Sequence, residues 1–212
     1  MTTEISPALS SANHPAVFRR GVVWLLALTL SMAALLLPAL WNGFALVFFD
    51  TGGYVRRVLE MELTPGRSLF YGLFLWTSSF AWWSFYGPIL VQVAATVWFI
   101  YLLLRCHDLS HGPWLTALFC SILALVTGVA WSAAQLMPDA LVPLIAVALW
   151  LLGFCRQKLT GMERFGVAAL ALLGLLSHMS GLALAIGLLL VIVLLWLAEH
   201  RRVSCWLETP RA

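Results

Sequence analysis

The first thing this chain lacks is charge. Only 10% of its 212 residues are Asp, Glu, Lys or Arg, while 62% are hydrophobic. Soluble domains carry about 25% charged and about 45–50% apolar residues. An aqueous fold of this composition would leave too much apolar surface in water, so an ordinary soluble domain is excluded. Cysteine is scarce too. Cys106, Cys120, Cys155 and Cys205 form no C-x-x-C pair and no Cys/His cluster with zinc spacing. They read as small apolar fillers, and no disulfide is expected. There is no basic stripe, so nucleic acid is not an expected partner. No Walker loop, dinucleotide fingerprint, nucleophile elbow or H-E-x-x-H occurs. ATP-driven and zinc-protease chemistry therefore have no anchor. The apolar runs do not alternate, which excludes a transmembrane barrel. Internal repeats and low-complexity tracts are also missing.

What remains is a series of long apolar runs, the mark of an all-α, polytopic helical membrane protein. Residues 1–20 read as a mobile cytoplasmic tail ending in Arg19-Arg20. Residues 21–200 form one transmembrane domain, and 201–212 a second cytoplasmic tail. The expected spans are about 22–47, 88–104, 113–132, 138–155, 164–177 and 181–198. Pro38 is expected to kink or tilt the first. Between the first two lies a loop, about 50–86, with Asp50, Arg56, Arg57, Glu60, Glu62 and Arg67 at its start. Val55, Val58, Leu59 and Glu62 fall at helical spacing, so this part reads as an amphipathic helix along the interface. Residues 68–86 are apolar and aromatic, and form either a short span or a re-entrant or interfacial helix. Eleven tryptophans suit interfacial belts. Pro138-Asp139 is a good helix start. Residues 165–198 are too long for one span at about 1.5 Å per residue, and Ser177-His178-Met179-Ser180-Gly181 reads as a tight hairpin dividing them.

Orientation decides the ambiguous stretch. Lys and Arg favour the cytoplasmic side. If 68–86 does not cross, six spans with a cytoplasmic N-terminus put nine of the twelve basic residues inside. If it crosses, only Arg19 and Arg20 stay inside. The non-crossing arrangement brings Asp50, Tyr54, Arg56, Arg57, Arg67, Tyr71, Asp139 and His178 to the outer face.

Each of these has a plain reading and a functional one. Asp50 is either a helix cap or a general base or cation ligand. Its pKa would be raised if it pressed on apolar surface. Asp139 is a helix-start residue or a second cavity carboxylate. His178 is satisfied locally, or binds a phosphate or a substrate hydroxyl. Arg56, Arg57 and Arg67 are interface anchors or a clamp on a lipid-linked phosphate. Tyr71 belongs to an aromatic belt or to a sugar-stacking platform.

The layout resembles the amino-terminal half of the GT-C superfamily of integral-membrane glycosyltransferases, such as the protein mannosyltransferases and aminoarabinose transferases. Asp50-Thr51-Gly52-Gly53-Tyr54 is similar to the opening of that family's first outer loop. Gly66-Arg67-Ser68-Leu69-Phe70-Tyr71 stands where its second loop element would be. Gln135-Leu136-Met137-Pro138-Asp139-Ala140-Leu141 resembles a span start of the family, and Leu176-Ser177-His178-Met179-Ser180-Gly181 a hairpin seen in many members. The resemblance implies a bacterial-type inner (plasma) membrane location. It also implies inverting sugar transfer from a polyprenyl-phosphate donor to an envelope acceptor. Asp50 would be the base; Tyr54, Arg56, Arg57, Arg67, Tyr71, Asp139 and His178 would bind substrate. The lipid-linked donor and membrane lipids are the implied partners. No resident cofactor is expected, with a divalent cation left open. Three departures stand out. Asp50 is followed by Thr rather than a second acid, the element at Arg67 lacks its proline, and the chain has about six spans where such enzymes have more. A truncated homologue, or a non-catalytic subunit or scaffold of envelope polysaccharide or glycolipid assembly working with a membrane partner, is the alternative expectation.

Overall fold

The computed structural model describes residues 14–61, 66–109 and 112–207, with side chains from 17 to 198. The expected tail over residues 1–13, the helical position of Glu62 and the end of the second expected tail, 208–212, lie outside the described residues. Among those described, the secondary structure is helical without a strand. In chain order the helices are α1 His14–Asn42, α2 Thr51–Leu59, α3 Leu69–Ser78, α4 Tyr86–Cys106, α5 Pro113–Val126, α6 Val129–Ala133, α7 Val142–Phe154, α8 Gly161–Ser177 and α9 Met179–Leu207. Tight 3-10 turns at Pro138–Leu141 and Arg156–Lys158 bracket α7. Among the described residues, three helices are long and apolar enough to cross a membrane: Val17–Asn42, Tyr86–Cys106 and Met179–Ala198. Leu69–Ser78, Pro113–Val126 and Pro138–Phe154 are apolar but shorter.

Helix α1 continues through Pro38 and stops at Asn42, short of the expected 47. Gly43 takes a left-handed φ of +82°, a conformation that ends helices and suits glycine. Beyond it, the Leu46 amide donates to the Ala134 carbonyl at 3.3 Å, and Leu136 N–H donates to the Leu46 carbonyl at 2.8 Å. The backbone freed from α1 is thus satisfied by a distant strand-like contact rather than by more helix. The expected run 113–132 is likewise divided. Thr127 is extended between α5 and α6, and its hydroxyl donates to Leu123 O at 2.5 Å. At the other extreme, α9 runs through Leu207, past the expected boundary at 200.

Helix α4 is the axis of the bundle. Over half of its most apolar window is buried (56%), against 28% for α1 and 11% for α9. It packs against α1, α3, α5 and α7, and α7 in turn against α8 and α9. Leu35, Ala39, Val93, Phe99, Leu102, Leu151 and Val167 form the centre. The wide exposure of α9, from Leu189 to Leu197, leaves a continuous apolar face.

Helix α3 is only about 15 Å long, half the roughly 30 Å hydrocarbon core. Its end abuts the beginning of α4: a Cβ on Gly87 would lie 1.9 Å from the Ser78 carbonyl oxygen. The turn between them places Phe80, Ala81 and Trp82 in succession at φ of +54° to +73°, strained for side-chain-bearing residues. Ser79 holds it, its hydroxyl accepting from Trp82 N–H at 2.9 Å.

Two ends of the bundle follow from these contacts. One gathers the end of α1, all of α2 and α3, the start of α4, and the α8–α9 break; it is called the Asp50 end. The other gathers the start of α1, the end of α4 with Arg105, and the Arg156–Glu163 connection; it is called the Arg105 end.

Candidate functional site

Asp50 sits where it could cap α2, yet its side chain makes no cap hydrogen bond. The carboxylate Oδ1 instead accepts from Arg67 Nη2, and the two half-buried groups form an ion pair. The expected carboxylate against apolar surface is therefore a paired one. Thr51 fixes the turn that presents it. Its hydroxyl donates to Leu136 O at 2.8 Å and accepts from Phe48 N–H at 2.9 Å. The same bond ties the Asp50 turn to the segment leading into Pro138-Asp139.

Arg67 is held from below. Its guanidinium lies 5.7 Å from the Tyr54 ring centroid, and its stem lies against Gly53, where a Cβ would come within 3.1–3.3 Å of it. Tyr54 meets Tyr71 edge to face at 5.1 Å. The Tyr71 hydroxyl donates to Gln92 Oε1 at 2.8 Å, and Gln92 Nε2 donates to the carbonyls of Ala133 and Gln135 at 3.1 and 2.8 Å. Tyr54 and Tyr71 are almost completely buried. Burial raises the pKa of Tyr54, against the opposing pull of Arg67, and pushes that of Tyr71 well up. Both therefore stay neutral and act as supports behind the ion pair. Gly72 lets α3 press onto α2, because a Cβ there would fall 2.7 Å from Tyr54 O.

Asp139 and His178 form a second pair. His178 Nε2 is 3.9 Å from Asp139 Oδ1, beyond hydrogen-bond reach. His178 Nδ1 accepts from Ser180 N–H at 3.1 Å, so a neutral His178 carries its proton on Nε2, facing Asp139. His178 is also the single extended residue between α8 and α9, which is the expected hairpin reduced to one position.

One member of each pair, Arg67 and His178, lines a common cleft. Ser68 Oγ donates to Leu176 O at 2.5 Å and fastens the start of α3 to the end of α8. Beside that bond lies a cavity of about 740 Å³, lined by Arg57, Arg67, Ser177 and His178 together with Leu176 and Leu182. Ser177 is 1% exposed and its hydroxyl has no hydrogen-bond partner. Arg56 is not part of this wall. It pairs with Glu60 one turn on, at 2.5 Å, on the exposed side of α2.

No family model, curated protein or solved structure matches this chain. The site is thus described by its own geometry. Of the residues expected from sequence, Asp50, Tyr54, Arg67 and Tyr71 form one chain of contacts. Asp139 and His178 form another. Arg57 joins them at the cavity wall. Gln92 was not expected. A lone carboxamide in the apolar run 88–104 was the available signal, since a polar side chain there needs a partner. Among the described residues, no three His, Cys, Asp or Glu side chains gather as they would around a metal ion.

Proposed function

We propose that this chain is a six-span membrane protein of the GT-C glycosyltransferase type, with α1, α4, α5, the Pro138–Phe154 segment, α8 and α9 crossing. Its N-terminus is cytoplasmic, in a bacterial-type inner membrane, and the Asp50 end faces outward. The basic residues support this sidedness, since Arg19, Arg20, Arg105, Arg156, Lys158 and Arg164 belong to the Arg105 end. The short reach of α3 supports the non-crossing loop.

The observation that carries the functional reading is the Asp50 carboxylate. It makes no cap hydrogen bond and pairs with Arg67, which itself lines a cavity with cationic and apolar walls. A polyprenyl-phosphate sugar has the matching character: an anionic link beside a long apolar tail. Asp50 accepts the proton of the acceptor hydroxyl as that oxygen bonds to the anomeric carbon. The bond from this carbon to the phosphate oxygen breaks, with inversion, and the lipid phosphate leaves with the electron pair. Arg67, Arg57 and His178 stabilise the growing phosphate charge.

The test is transfer from a panel of polyprenyl-phosphate sugars by purified protein in lipid. Asp50→Asn should lower the rate by about 100-fold or more, the low end for losing a general base, with the thermal unfolding profile retained. A second reading has its own support: Asp50 is already paired and both tyrosines are buried, as in a rigid, non-catalytic membrane subunit. Absence of transfer from every donor by the wild type, together with stable capture of a membrane partner, would replace the first reading with that one.

A further inference from the structure

The α1–α5 face at the Arg105 end lies apart from the residues of the transferase reading. Two hollows there are neighbours. One, of about 470 Å³, is lined by Arg19, Arg20 and the α5 start at Gly112-Pro113. The other, of about 420 Å³, is apolar and runs along α1 between Trp24, Leu28 and Trp98. Trp24 and Pro113 belong to both. The apolar part exists because Ala27 and Ala94 offer only methyl groups where α1 meets α4.

One buried polar atom in this wall is unexplained. Thr116 is 5% exposed, lines the apolar hollow, and its hydroxyl has no hydrogen-bond partner. A buried donor without an acceptor is unfavourable, and an acceptor supplied by a ligand would relieve it. Thr116 lies in the first turn of α5, three residues on from Pro113, which lines both hollows. From Arg20 to Ser31, at the far end of the hollow, α1 advances about 16 Å at 1.5 Å per residue. That is close to half of the roughly 30 Å hydrocarbon core.

We infer that this cleft binds one anionic glycerophospholipid. Its phosphate sits at Arg19 and Arg20, an ester carbonyl accepts from the Thr116 hydroxyl, and one acyl chain fills the hollow beside Trp24 and Leu28. Charge selects the headgroup, depth matches the ester level, and length matches the chain. A zwitterionic lipid satisfies the last two features but not the first.

The full chain, purified in mild detergent, is offered equimolar phosphatidylglycerol and phosphatidylcholine, and retained lipid is counted by native mass spectrometry. Wild type should retain phosphatidylglycerol about tenfold or more over phosphatidylcholine, in line with two basic side chains at a lipid surface. Arg19→Gln with Arg20→Gln should bring the ratio near one. Thr116→Val, which keeps the shape and removes the donor, should lower retention of both lipids about threefold at an unchanged ratio. Equal retention by wild type, or an undiminished preference in the double variant, overturns the site in favour of a nonspecific lipid annulus. Should the double variant not fold, the wild type in about 0.5 M salt decides: screening should shrink the preference, and a preference unmoved by salt overturns the proposal.

Discussion

The two ends of the bundle use similar ion pairs in opposite ways. At the Arg105 end, Arg105 Nη1 and Nη2 both meet the Glu163 carboxylate at 2.7 Å, and Nη2 also reaches Lys158 O at 3.3 Å. Lys158 Nζ donates to Cys106 O at 2.7 Å and Asp108 Oδ2 at 2.5 Å. Glu163 further accepts from Thr160 N–H at 2.8 Å, closing a capping box at the start of α8. Arg105, Lys158 and Glu163 are each answered more than once, by side chains and backbone groups together. At the Asp50 end, Arg67 meets Asp50 through one nitrogen, His178 stands off from Asp139, and Ser177 has no partner. A fork gripped at two points locks helices together, while a single contact beside a cavity leaves charge able to answer a ligand.

That contrast breaks most visibly when each arginine is removed. Arg105→Leu should destabilise the protein by about 3 kcal/mol, because it leaves a partly buried carboxylate and a helix cap without their partner. Arg67→Leu should cost about 1 kcal/mol, as expected for a more loosely held pair. Unfolding in detergent measures both, and equal losses would erase the distinction between the ends. A pH series sharpens it next. The hydrogen bonds from Arg105 hold the Glu163 carboxyl down at about 2, with the Thr160 cap adding to the effect. A pKa lowered on folding gives stability that is complete above the unfolded value, about 4.3, and is lost as pH falls toward 2. Wild type should therefore exceed Glu163→Gln by on the order of 2–3 kcal/mol at pH 6, with the gap closing below pH 4. The smallest effect belongs to the exposed side of α2. Arg56→Ala should change stability by no more than about 0.5 kcal/mol, since its pair with Glu60 is exposed.

Local signals in the sequence carried the parts of the fold that depend on neighbours along the chain. Proline followed by a carboxylate marked Pro138-Asp139, and a polar residue inside an apolar run marked His178 as the break between α8 and α9. The amphipathic spacing around Val55 and Val58 marked α2. Contacts across the chain were less legible. Thr127-Gly128 interrupts an apolar run with residues that helices tolerate, so the break between α5 and α6 left no clear trace. The Asp50–Arg67 pair joins residues 17 positions apart, and either could have faced water instead. Tyr71 read as a belt residue, yet a single carboxamide on α4 draws its hydroxyl into the interior. The sequence showed which side chains were polar; packing determined which of them were held and which were left open.

The join between α8 and α9 is one residue long, and α9 is 29 residues. Its apolar part, Met179–Ala198, is 20 residues, or about 30 Å at 1.5 Å per residue, the thickness of the roughly 30 Å hydrocarbon core. In the six-span reading its tilt is left largely to the surrounding lipid, because so little of it is gripped by protein. No linker would absorb a change in that tilt, and His178 and Ser177 sit at the join itself. A bilayer thinner or thicker than that core would thus be felt first at the cleft wall that those two residues line.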